Sequence, residues 1–236
     1  MTARPLLVMD TATTHAVIAL GDADGTLREQ RTWEAGYRHG EELLARIVAL
    51  LADSGVAAGD LGGIIVGTGP GAFTGLRVGI ATAKGLAHGL GLPIVGLATG
   101  ASLRRAAVAA SGTPTDHLVL IQPAGPSDRV ESREGAAPRI VPVGTDTELA
   151  PDERLVAVDL RGRAPEAAVS LGDTAMDGLA GALLAAGAAR LAVGDVDDLA
   201  RLVPEYVTLP RGVRMPLPDD GVVVSGGVSG GTGSAS

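Results

Sequence analysis

The stretch LGGIIVGTGPGAFTGLRVG, residues 61–79, runs from an apolar segment through three closely spaced glycines into a helical pattern. A glycine-rich turn between a buried strand and a helix is a common setting for a bound phosphate. Gly67-x-Gly69-x-x-Ala72 satisfies the dinucleotide fingerprint in form. That chemistry also needs an acid about twenty residues on, to hold a ribose hydroxyl. No Asp or Glu occurs from Leu61 to Thr115, and Pro70 removes a backbone donor from the loop. No Gly-Lys-Ser/Thr is present, which excludes a Walker loop. The loop therefore reads as a place where two pieces of backbone come close together.

The elements on either side fix the fold class. The helix is expected from about Thr74 to His88 and a strand at 92–97, making a β-α-β unit with parallel strands. Upstream, residues 6–10, 15–21 and 26–33 read as three strands, with DADG at 22–25 as a hairpin turn. Residues 38–55 form an amphipathic helical pattern with Gly55 as its stop. Three leading strands followed by helix-strand alternation predict an α/β protein with a mixed sheet covered by helices.

Two helices carry more pattern than one sheet face requires. In the first, Leu43, Ile47 and Leu50 make one apolar row, and Leu44, Val48 and Leu51 make a second. Either this helix is deeply buried or its second side meets a partner. In the next helix, Gly75, Gly79 and Ala83 make a small-residue row, while Arg77, Lys84 and His88 line another. A glycine inside a helix costs about 1 kcal/mol relative to alanine. Two of them one turn apart imply a closely packed neighbour, from the chain's own sheet or from a second subunit.

Asp10, Thr11 and Thr13 fall where the first strand turns into the second. A carboxylate and hydroxyls at such a turn suit contact with a magnesium-nucleotide. The competing reading is an ordinary Asx or Thr turn that satisfies its own backbone.

Composition narrows the function classes. The chain has 236 residues, no cysteine and a formal net charge of −8. Disulfides, thiolate metal sites and a cysteine nucleophile are excluded, and an acidic chain repels phosphate backbones. The four histidines are scattered singly, at 15, 39, 88 and 117, without metal-ligand spacing. The apolar run before Asp10 is four residues long, too short for a secretory signal, and the uncharged stretch from Gly85 to Leu103 is broken by Pro93 and glycines. A soluble cytoplasmic protein without a membrane span is expected.

The second half is harder to read. Strands are expected at 117–121, 129–132 and 154–160, a helix at 174–194, and loops at 122–128 and 134–152. The Gly/Ser-rich end reads as a flexible tail.

LLVMDTATTHAVIAL at 6–20, RHGEELL at 38–44 and the run from Gly67 to Leu103 resemble the bacterial TsaB (YeaZ) family. The resemblance covers roughly residues 5–108, and its most specific part is Gly69 to Gly79. Residues 109–236 agree only in layout; the family's Asp-Ala-Arg and Glu-x-Tyr segment is replaced by LIQPAGPSDRVES at 120–132. The resemblance implies the actin/Hsp70/sugar-kinase (ribonuclease H-like) fold in two subdomains with mixed sheets and covering helices. Their expected bounds are 1–108 and 109–215, with a tail at 216–236.

It also implies a role. TsaB-type proteins are non-catalytic subunits that pair with TsaD and with TsaE for threonylcarbamoyl transfer to the tRNA adenosine beside the anticodon. Partner contact, in a homodimer or with TsaD, is expected at Leu43, Leu44, Ile47, Leu51, Gly75, Arg77, Gly79, Ala83 and Lys84. Asp10, Thr11 and Thr13 would meet Mg-ATP or ADP only with partners present, and tRNA would be reached only through the complex. The catalytic relative's two metal-holding histidines fall here on Thr99 and Leu103, and leucine cannot ligate a metal. The alternative is a kinase-like ATP-binding enzyme or a metalloprotease-like hydrolase of the same superfamily.

Overall fold

The computed structural model describes residues 4–35, 39–124, 128–142 and 144–207. Its first sheet grows from the N-terminal apolar run, which forms β1 (Leu6–Asp10). β2 (His15–Gly21) and β3 (Leu27–Glu34) continue antiparallel from it, with the DADG turn closed by Gly25 N–H to the Asp22 carbonyl at 3.0 Å. On its other side β1 pairs in parallel with β4 (Gly63–Gly69), which pairs in parallel with β5 (Ile94–Ala98). The strand order is β3-β2-β1-β4-β5.

Alternation along the central strands sends side chains to two cores. Leu7, Met9, Ile18, Leu20, Ile64 and Val66 face α1 (His39–Asp53) and α2 (Phe73–Leu90). Leu6, Val8, Val17, Ala19 and Ile65 face the opposite way, into a core shared with the rest of the chain.

That second core is closed by elements from beyond residue 98. α3 (Thr99–Ser111) follows β5 without a loop, a helix that the sequence pattern did not announce. A second sheet follows, made of β6 (Leu118–Pro123), β7 (Arg129–Ser132), β8 (Arg139–Val141) and β9 (Arg154–Ala157). Its order, β8-β7-β6-β9, with two antiparallel pairs and one parallel pair, repeats the arrangement β3-β2-β1-β4 of the first sheet. β8 lies inside the 134–152 stretch expected to be a loop.

The helix expected at 174–194 is two helices, α4 (Glu166–Asp177) and α5 (Leu179–Ala192), broken at Gly178. Gly178 lies against α3: a Cβ there would sit 3.0 Å from that of Ala106. α5 returns to the first sheet, burying Leu179, Leu183 and Leu184 beside Leu6, Val8 and Ile65. The expected boundary at 108/109 therefore falls within α3, and the second half supplies a wall of the first sheet's core. The expected tail at 216–236 lies outside the described residues.

After α5 the chain runs back along the exposed edge of β5. Asp197 N–H donates to the Ile94 carbonyl at 2.9 Å, and the Asp197 carboxylate accepts Gly96 N–H at 2.7 Å. Leu202 inserts beside Gly96, and Glu205 N–H reaches the Thr68 carbonyl at 2.8 Å. Covering an edge strand in this way removes a template for unwanted pairing. Among the described residues, no single helix is long and apolar enough to cross a membrane.

Candidate functional site

The glycine loop lies directly on the β1–β2 turn. Ala72 N–H donates to the Ala12 carbonyl at 2.7 Å, and a Cβ on Gly71 would come within 2.1 Å of that same oxygen. A Cβ on Gly67 would fall 1.7 Å from Asp10 Oδ2. Close approach of backbone to a buried carboxylate is what the absent side chain permits.

Asp10 is fully buried. Its Oδ1 accepts Ala12 N–H at 2.9 Å, and its Oδ2 accepts the Thr99 hydroxyl at 2.6 Å; the Thr99 oxygen in turn accepts Gly69 N–H at 3.0 Å. Burial pushes the Asp10 carboxyl up to about 6, while the hydrogen bonds from Thr99 and Ala12 pull it down. Thr11 donates its hydroxyl to the Gly75 carbonyl at 2.7 Å, and the Thr13 hydroxyl donates to the His15 carbonyl at 2.9 Å.

Asp10, Thr11 and Thr13 were expected to meet a magnesium-nucleotide only with partners present; in the chain by itself they are engaged internally. All three are buried, and their polar atoms are taken up by the chain's own backbone and by Thr99. As placed, they do not fit a nucleotide. The Asx/Thr-turn reading accounts for them.

The helix faces divide differently from the expected partner surface. Leu43, Ile47 and Leu51 are buried against the first sheet, whereas Leu44 and Val48 are 52% and 59% exposed. Gly75, Gly79 and Ala83 are also buried. A Cβ on Gly79 would stand 2.2 Å from Thr11 Oγ1, so the missing side chain there admits the β1–β2 turn, and the row faces the chain's own interior. The small residues that do face outward on α2 are Ala81, Gly85 and Gly89. Arg77 is exposed, its guanidinium 5.1 Å from the ring centroid of Phe73, which also packs on Tyr206. Lys84 is half-buried and donates to the Leu202 carbonyl at 3.2 Å, fastening the C-terminal segment.

A further contact joins the β1–β2 turn to the second sheet. Thr14 N–H donates to Asp159 Oδ2 at 2.7 Å, and His15 Nδ1 lies 3.3 Å from Asp159 Oδ1. Asp159, just past β9, is a non-glycine residue in the left-handed region, with φ of 55°. No local motif marks Asp159, and Thr99 sits on an uncapped helix start, so neither contact was legible from sequence.

Among the described residues, no group of three or more His, Asp or Glu side chains could hold a metal ion. Thr99 has the hydrogen bonds given above, and Leu103 is wholly buried in the core between the sheets. This donor set does not fit a metal.

Two mixed sheets of repeated strand order, with helices between and outside them, define an α/β protein of the actin-like, sugar-kinase-like fold. YeaZ from Pseudomonas aeruginosa superposes with a TM-score of 0.65 at 23% identity, over 87% of this chain and 100% of that one. The family described as TsaD, tRNA N6-adenosine threonylcarbamoyltransferase, matches residues 33–146. The tRNA threonylcarbamoyladenosine biosynthesis protein TsaB of Escherichia coli is 39% identical over 95 residues, 40% of this chain and 40% of that protein. An uncharacterized protein of Mycobacterium leprae, ML0378, is 42% identical over 96 residues, 39% of this chain and 26% of its own length. The matched stretch thus spans well under half the length of these curated relatives. Over these stretches the chain is similar to TsaB proteins, and it shares the fold of YeaZ over most of its length.

Proposed function

We propose that this chain is a non-catalytic subunit of the assembly that forms threonylcarbamoyladenosine in tRNA, and that it pairs with a TsaD-type protein through the outer faces of α1 and α2. The observation that carries the reading is the exposure of Leu44 and Val48 on α1 and of Ala81, Gly85 and Gly89 on α2, the helix packed against it. Apolar side chains next to a glycine row let a second pair of helices pack closely. Covering such area contributes roughly 25 cal/mol per Å², less the cost of association. The same face serves either a homodimer or the TsaD-type partner, and a TsaE-type ATPase joins the pair. A net charge of −8 leaves tRNA contact to the partners. This subunit works in the cytoplasm.

The test is a transfer assay with purified chain, threonylcarbamoyl-AMP and unmodified tRNA, with and without TsaD- and TsaE-type proteins. Modification only when the partners are added supports the reading. Modified tRNA from this chain alone refutes it. Calorimetric titration of the isolated chain with MgATP should give no saturable heat, because Asp10, Thr11 and Thr13 are already satisfied. Micromolar binding with turnover would favour the kinase-like alternative.

A further inference from the structure

The segment 195–207 covers the edge of β5, and it also lies along α2. Lys84 of α2 donates to the Leu202 carbonyl at 3.2 Å, and Tyr206 packs on Phe73, the first residue of α2, with ring centroids 5.1 Å apart. The segment therefore runs against the direction of the helix. From Phe73 to Lys84 the helix rises about 16 Å, and from Leu202 to Tyr206 an extended chain spans about 14 Å. Leu202 is buried in the core shared with Ile80 and Ala83, while the next residue, Val203, is 61% exposed and Tyr206 is 40% exposed.

α1 packs along the other flank of α2, where Val78 and Leu86 join Leu43 and Ile47, and it leaves Leu44 and Val48 in water. Between these flanks the outward stripe of α2 is Arg77, Ala81, Gly85 and His88, at spacings of three and four. Large apolar side chains thus stand on both sides of a helix whose middle is small, an arrangement that receives another helix. Exposed apolar residues gathered on three neighbouring elements mark an interaction surface.

The charge of this face is opposite to that of the chain. α2 carries Arg77, Lys84 and His88 and no acid, against a net charge of −8 for the whole. Among the described residues, Arg77 meets only the Phe73 ring. The acids of the flanking segment are engaged elsewhere, Asp195 and Asp197 with Arg190, and Asp198 with the backbone N–H groups of Ala200 and Arg201. Burial pushes the Glu205 carboxyl up, towards its neutral form, with Arg104 acting against it. On α1, Glu42 is paired with Arg46. An unmatched cation between apolar flanks favours an occupant that brings a carboxylate.

We propose that 195–207 completes the partner-binding surface: a helix of the partner lies over Ala81 and Gly85, between Leu44 and Val48 on one side and Val203 and Tyr206 on the other, with a carboxylate opposite Arg77. Such seating rests on the pairing proposed above and adds to it a third element and a charge.

The test is calorimetric titration of the full chain with a TsaD-type protein, for the parent and for Val203→Glu, Arg77→Glu, and Leu44→Glu combined with Val48→Glu. The first two alter exposed side chains, so their urea midpoints should match the parent's. Each should weaken binding by about tenfold or more, and Arg77→Lys should keep most of the affinity. Parent affinity should fall as salt is raised from about 0.05 to 0.5 M, and Arg77→Glu should flatten that dependence. Binding that is lost in the Leu44→Glu, Val48→Glu chain but unchanged in Val203→Glu would overturn the role of 195–207 and leave the pairing standing. Unchanged or tighter binding by Arg77→Glu would overturn the acidic occupant. No complex with the parent chain would overturn the pairing and the seating together. Self-association of the parent that Val203→Glu abolishes, with partner binding intact, would assign the face to a second copy and likewise overturn the proposal.

Discussion

Asp10 and Thr99, 89 residues apart in sequence, share a 2.6 Å hydrogen bond at the point where β1, β4 and α3 meet. The bond makes the buried Asp10 carboxylate a structural tie, and burial raises its pKa from 3.8 to about 6. A carboxyl raised on folding contributes stability that is fully present below its unfolded value and is lost as pH rises through the folded one. Between pH 4 and pH 7 this group should therefore cost the fold on the order of 3 kcal/mol, at 1.36 kcal/mol per unit. The Asp10→Asn chain escapes that loss. Urea midpoints at several pH values should show the variant gaining on the parent as pH rises; a constant difference would contradict the assignment.

Gly79 and Thr11 should be coupled. Gly79→Ala drives a Cβ to within 2.2 Å of Thr11 Oγ1 and should destabilise the monomer by on the order of 2 kcal/mol. Thr11→Ala alone loses the buried bond to the Gly75 carbonyl, about 1 kcal/mol. The double variant should be less damaged than the sum of the two, because the clashing oxygen is gone. Additive losses in denaturant unfolding would mean that the helix has room to shift. Larger residues at Gly79 should likewise damage the fold before they affect any pairing.

Charge placed on the outer face of α1 should act in the opposite way. Leu44→Glu with Val48→Glu alters two side chains already in water, so the unfolding midpoint should move by less than about 0.5 kcal/mol equivalent. Self-association or capture of the TsaD-type partner, followed by sedimentation, should be lost. Retention of the complex by this variant would remove α1 from the interface.

Asp159 offers a graded series. Asp159→Gly and Asp159→Ala both lose the acceptor for Thr14 N–H, but alanine must also hold a φ of 55°. Left-handed backbone costs a non-glycine residue roughly 1–2 kcal/mol. Asparagine keeps an acceptor and tolerates that region. The expected order of thermal stability is Asp, Asn, Gly, Ala, and an alanine chain as stable as the glycine chain would show that the turn relaxes.

The first sheet and its two outer helices were legible because their signals are strong. β1, β2, β4 and β5 carry continuous or alternating apolar residues between glycine-rich turns, and α1 repeats leucine and isoleucine at helical spacing. α3 was not legible: it begins at Thr99 directly from a strand, has no side-chain cap, and has a face of alanines. Gly178 was passed over because an Ala/Gly-rich helix has little amphipathic contrast on either side of a break. At the site, the rule that a glycine row marks a close neighbour held, but sequence does not say which neighbour. Thr11 of the chain's own turn filled the place that a second subunit was equally able to fill.

A nascent chain halted after residue 108 would carry all five strands of the first sheet, with Leu6, Val8, Val17, Ala19 and Ile65 open to water on one side. The cover for that side, α5, ends at Ala192, so it is translated after the whole second sheet. Contacts this distant in sequence are slow to close, and an uncovered apolar sheet face invites association with other chains meanwhile. Synthesis and completion therefore run in opposite directions, because the earliest strands wait for nearly the last helix before their core is sealed.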